Sequence, residues 1–77
     1  MDIQLADLMI HIDEQLSSDR REAVEVALRA VEGVVSVRNP EDRPHLTLIA
    51  YRPDQTTSAA LLARVKAEGV TAELVGL

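Results

Sequence analysis

The segment Ala23-Val24-Glu25-Val26-Ala27-Leu28-Arg29-Ala30-Val31-Glu32-Gly33-Val34-Val35-Ser36-Val37 changes its period partway along. Val24, Ala27, Leu28 and Val31 stand at i, i+3, i+4 and i+7, which is one stripe of a helix. Gly33 supplies a stop, because glycine takes the left-handed conformation beyond a helix end without steric cost. Val34, Val35 and Val37 then form a β-branched run suited to a strand. The spacing predicts a helix from about Ser18 to Glu32, started by Ser17, Ser18 or an Asp19/Glu22 capping box. One helix followed by one strand is the unit from which the rest of the chain is read.

Upstream, Leu8, Ile10 and Ile12 alternate with Met9, His11 and Asp13, a period of two that predicts a strand with one apolar face. Downstream, Arg38 to Pro44 holds two prolines and an Asn-Pro step and reads as a connection. His45 to Tyr51 is extended, with Leu46, Leu48 and Ala50 on one side and His45, Thr47, Ile49 and Tyr51 on the other. After the turn Arg52-Pro53-Asp54-Gln55, Thr57 or Ser58 caps a second helix carrying Leu61, Leu62 and Val65 inward. Gly69 ends it, and Thr71 to Val75 is a last short strand.

The order is therefore β-α-β-β-α-β. Right-handed crossovers lay both helices on one face of a four-stranded antiparallel sheet with strands one and three central. The expected class is α+β, a ferredoxin-like sandwich. Seventy-seven residues make a single domain, 1–77, with residues 1–7 expected to be flexible.

Composition narrows the function. Eight Lys and Arg against thirteen Asp and Glu leave a net charge of −5. That balance disfavours nucleic acid and anionic membrane surfaces, both of which are bound by cationic neutralisation. One tyrosine, with neither tryptophan nor phenylalanine, removes the stacking platforms of single-strand binders and requires an aliphatic core. The absence of cysteine excludes disulfides, thiolate metal sites and a cysteine nucleophile. Met1-Asp2-Ile3-Gln4-Leu5-Ala6-Asp7 has early acids and no basic segment, unlike a signal peptide, so the cytoplasm is the expected location.

The run Ala27 to Val37 resembles the helix-to-strand passage of heavy-metal-associated domains, the family of copper chaperones and of the N-terminal modules of metal-transporting P-type ATPases. Thr47-Leu48-Ile49-Ala50-Tyr51-Arg52-Pro53-Asp54 is similar to that family's third strand and turn. Leu61-Leu62 with Gly69 to Val75 is similar to its second helix and closing strand. The resemblance implies the same βαββαβ fold from about Leu8 onward. It also implies a Cys-x-x-Cys pair entering the first helix, where this chain has Ser17 and Arg20. A serine hydroxyl is a poor ligand for a soft cation, and arginine is a fixed positive charge. The loop is degenerate, and the family's copper role does not carry over to it.

Two other readings remain. If Ile10 lies opposite Leu48, then His11 and His45 become diagonal neighbours near Asp13 or Glu14. His11, His45 and Asp13 would then be a non-thiol site suited to Zn²⁺, Ni²⁺ or Cu²⁺. The same register puts Met9, His11, Thr47, Ile49 and Val75 on the sheet face without helices. An apolar centre with polar surroundings there would dock a protein partner or a second copy. Arg20 and Arg21 oppose the helix dipole at a cost of about 0.3–1 kcal/mol, either as a contact for an acidic partner or as a tolerated surface choice. Ser17 and Ser18 have no base positioned by any motif and read as caps. No catalytic residues and no cofactor are expected. The leading expectation is a non-enzymatic interaction or oligomerisation module without metal; the alternative is a metal carrier built on the histidines.

Overall fold

The computed structural model describes residues 4–75. Strand β1 (Ala6–Ile12) leads to helix α1 (Ser18–Arg29), strands β2 (Val34–Arg38) and β3 (Leu46–Tyr51), helix α2 (Ser58–Lys66) and strand β4 (Ala72–Val75). The sheet order is β2-β3-β1-β4, antiparallel throughout, with β1 and β3 central. The ferredoxin-like class read from the sequence is the class observed. Ala6 and Asp7, expected to be flexible, pair with Tyr51 and Ala50; residues 1–3 of that expectation lie outside the described residues.

Local chemistry sets the helix ends. Ser17 caps α1, its Oγ accepting from the Arg20 N–H at 3.2 Å. Thr57 caps α2 in the same way, Oγ1 accepting from the Ala60 N–H at 3.1 Å. Each hydroxyl satisfies one of the amides that a helix start leaves orphaned. Helix α1 ends three residues earlier than its apolar stripe suggests, at Arg29, with Ala30 as C-cap. Gly33 therefore lies in the following turn at φ +99°, where its carbonyl accepts from the Arg52 N–H at 2.7 Å.

Leu8, Ile10 and Ile12 from β1 meet Val24 and Leu28 of α1 and Leu61 and Val65 of α2 in one aliphatic core. Val37, Ile49, Val70 and Ala72 complete it, with Leu16, Val31, Val34, Tyr51 and Leu62 packed at its margin. Burial of such side chains contributes about 1.5–3 kcal/mol each, which supports a chain of this size without staples.

The register between the central strands differs by one residue from the expectation. Met9, rather than Ile10, lies opposite Leu48, while Ile10 faces Thr47 and His11 faces Leu46. A one-residue slip turns a strand over. Thr47 and Ile49 are 3% and 1% exposed, under the helices, and not on the open face where the sequence reading placed them. Leu46, Leu48 and Ala50 take the open side. Both sides of β3 are apolar, so alternation alone does not choose between them. Asn39 is one anchor of the strand's start, its Nδ2 donating to the carbonyls of Leu46 and Pro44 while Arg21 Nη1 donates to its Oδ1 at 3.1 Å.

Candidate functional site

Three features could carry function: the loop entering α1, the open sheet face, and a titratable cluster at one end of β1. At the loop, Ser17 is committed to the helix cap. Arg20 reaches across to the end of α2, Nη2 donating to the Glu68 carbonyl at 3.0 Å. With Arg21 on Asn39, both guanidinium groups make contacts within the chain. The two positions at which the resemblance would put thiols thus serve as a cap and an interhelix clasp.

The open face is built by Asp7, Met9 and His11 of β1, Leu46, Leu48 and Ala50 of β3, Ser36 and Arg38 of β2, and Glu73 and Val75 of β4. Of the five residues expected there, Met9, His11 and Val75 are present; Thr47 and Ile49 are not. Leu46 and Leu48 make this face more apolar than expected. Where β3 carries only the methyl of Ala50, a shallow depression of about 250 Å³ opens among Asp7, Ser36, Arg38 and Leu48. Arg38, Arg43 and Asp42 rim a second hollow over Met9, Leu46 and Leu48.

At the far end of β1, pairing with β4 sets His11 opposite Glu73. Two contacts clamp the strand ends: the Asp13 N–H donates to the Thr71 carbonyl at 2.9 Å, and the Glu14 carboxylate accepts from the Thr71 N–H at 2.8 and 3.0 Å. The bond from Thr71 holds the Glu14 carboxyl below its usual value, with a smaller contribution from the charge of Arg20. Asp13 Oδ1 comes to 3.1 Å from His11 Nδ1, and Glu73 Oε1 to 3.7 Å. His45 stacks on His11 with ring centroids 5.8 Å apart at 20°. Its Nδ1 sits 2.8 Å from the Ile12 carbonyl, which can only accept, so that nitrogen carries the proton.

The expected trio of His11, His45 and Asp13 is therefore near at hand but differently arranged. His11 and Asp13 converge, His45 is turned toward the backbone, and Glu73 joins instead. The sequence signal for Glu73 was the pairing of the last strand with the first, which puts residues 11 and 73 side by side.

Other solved proteins share this open-faced sandwich of four strands and two helices. Solved structures of this fold include the N-terminal domain of a potential copper-translocating P-type ATPase from Bacillus subtilis in the Cu(I)-loaded state, at 17% identity over 92% of this chain and 88% of that one, TM-score 0.83. Oxidised MerP from Ralstonia metallidurans CH34 matches at 15% identity over 92% and 97%, TM-score 0.82. A yeast copper transporter domain, solved in apo and Cu(I)-loaded states, matches at 14% over 91% and 94%, TM-score 0.80. At these identities the likeness is one of fold. No family model matches the chain, and no curated protein matches it in sequence. The resemblance seen in Ala27 to Val37 thus holds for architecture, on a chain that has no cysteine to match a thiol pair.

Proposed function

We propose that this chain is a non-enzymatic, cytoplasmic interaction module whose docking surface is the open sheet face. The observation that carries this reading is the half-buried apolar strip of Met9, Leu46, Leu48, Ala50 and Val75, bordered by Asp7, Arg38, Arg43 and Glu73. Apolar centres with charged rims are the anatomy of contact surfaces. Because the rim bears both signs, a second copy turned about a two-fold axis can set Arg38 or Arg43 against Asp7 or Glu73, so a homodimer is the partner this face fits. The clasped Ser17–Arg20 loop supports a role other than soft-metal carriage. No helix among the described residues is long and apolar enough to cross a membrane.

Sedimentation velocity from micromolar to millimolar concentration tests the reading. The wild type is expected to shift toward dimer mass, with NMR line broadening at Met9 and Leu48, and Leu48→Glu is expected to stay monomeric. A wild-type monomer at millimolar concentration with sharp Met9 and Leu48 signals overturns it.

A further inference from the structure

The geometry points to a divalent-cation site formed by His11, Asp13 and Glu73, of the chemical class that takes Zn²⁺. One ligand atom from each residue lies within 4.8 Å of the other two. Four-coordinate Zn²⁺ holds nitrogen and oxygen ligands at about 2.0–2.1 Å, so tetrahedral donors stand about 3.3 Å apart. The distances from His11 Nδ1, 3.1 Å to Asp13 Oδ1 and 3.7 Å to Glu73 Oε1, bracket that spacing. The two carboxylates, whose ligand atoms lie within 4.8 Å of each other, would draw together to close the set around an ion.

A second observation concerns the nitrogen itself. His11 Nδ1 is shielded from solvent and makes no hydrogen bond of acceptable geometry, despite the two carboxylates beside it. A shielded polar atom without a partner is uncommon and costly, and a cation between imidazole and carboxylates supplies one. The backbone fixes the donors in advance. His11 and Glu73 are cross-strand partners, and Asp13 is held by its amide to Thr71. Glu14, the other nearby acid, is engaged with the Thr71 amide and stays outside the set.

One imidazole and two carboxylates favour a borderline cation over a soft one, since Cu(I) sites rely on sulfur. Two negative charges on the donors match a divalent ion and leave a fourth position for water. His45 stacks on the His11 ring with its Nδ1 held by the Ile12 carbonyl, and it is not among the three residues whose ligand atoms converge. This site adjoins the apolar docking strip and shares Glu73 with its rim, but its donors converge within one chain and so do not depend on that reading.

The test is titration of the full chain with Zn²⁺ alone, in a non-chelating buffer at neutral pH, followed by calorimetry and by NMR of the histidine ring nitrogens. One equivalent should bind, with the shift of a coordinated nitrogen at His11 Nδ1. Glu73→Gln and Asp13→Asn, both at exposed positions, should each weaken binding by roughly tenfold or more while retaining native circular dichroism. His45→Ala should leave affinity within a few-fold. Absence of a saturable His11 shift, unchanged affinity in Glu73→Gln, or loss of binding in His45→Ala overturns the assignment.

Discussion

Glu14 sits in a polar stretch that by composition alone would be solvated surface, and its exposed carboxylate accepts from the Thr71 amide. Because that bond favours the ionised form, the folded chain holds the Glu14 proton more weakly than the unfolded chain does. A depressed pKa contributes stability that is complete above the unfolded value and is lost as pH falls through the folded one. Glu14→Gln is therefore expected to be less stable than wild type at neutral pH in urea unfolding. The gap should shrink below the usual value of 4.5 and close once Glu14 is protonated in both states. An equal gap at neutral and strongly acidic pH would show that the ionised form contributes nothing. Arg20 and Arg21 teach the same lesson. Their charges were visible in the sequence, whereas their targets, the Glu68 carbonyl and Asn39, are distant in sequence and were not.

The helices were legible because their signals are local: an apolar stripe, a hydroxyl three residues before an amide it caps, and a glycine beyond the end. Those two glycines nevertheless do different work. Gly69, at φ +85°, closes the last turn of α2 with open space around a prospective Cβ. Gly33, at φ +99°, lies against the β3–α2 turn, where a Cβ would meet Gln55 Cβ at 2.8 Å and Thr56 Cγ2 at 3.3 Å. Gly69→Ala incurs only the left-handed backbone cost, about 1–2 kcal/mol. Gly33→Ala incurs that cost plus displacement of a turn whose contacting atom is next to the backbone, so its loss should exceed that of Gly69→Ala by about 1 kcal/mol or more. Urea unfolding of the two variants side by side checks the order; equal losses would mean that the turn yields freely. No single-chain pattern distinguishes these glycines, since the difference comes from a segment more than twenty residues away.

Sheet faces are a property of the assembled molecule, and there the sequence was least decisive. In β1 the alternation of Leu8, Ile10 and Ile12 with Asp7, Met9 and His11 separates core from exterior. In β3 it does not, because Leu46, Leu48 and Ala50 are as apolar as Thr47, Ile49 and Tyr51. Pairing with β1 settles the matter: Ile10 faces Thr47 and Leu8 faces Ile49, so the β-branched side of β3 lies under the helices. The same pairing turns Leu46 and Leu48 to the open face, and the pairing of β1 with β4 brings Glu73 to His11. Both site corrections therefore come from strand pairing and not from any misread residue type. Two truncations separate the alternatives. Ile49→Ala empties space among Ile10, Leu28, Leu61 and Val65, all fully buried with it, and should cost about 2–5 kcal/mol. Leu48→Ala removes a half-buried side chain from the open face and should cost about 1 kcal/mol or less. Under the register in which Leu48 faced the helices the order would reverse, so the relative unfolding midpoints of the two variants decide which side of this sheet is the inside.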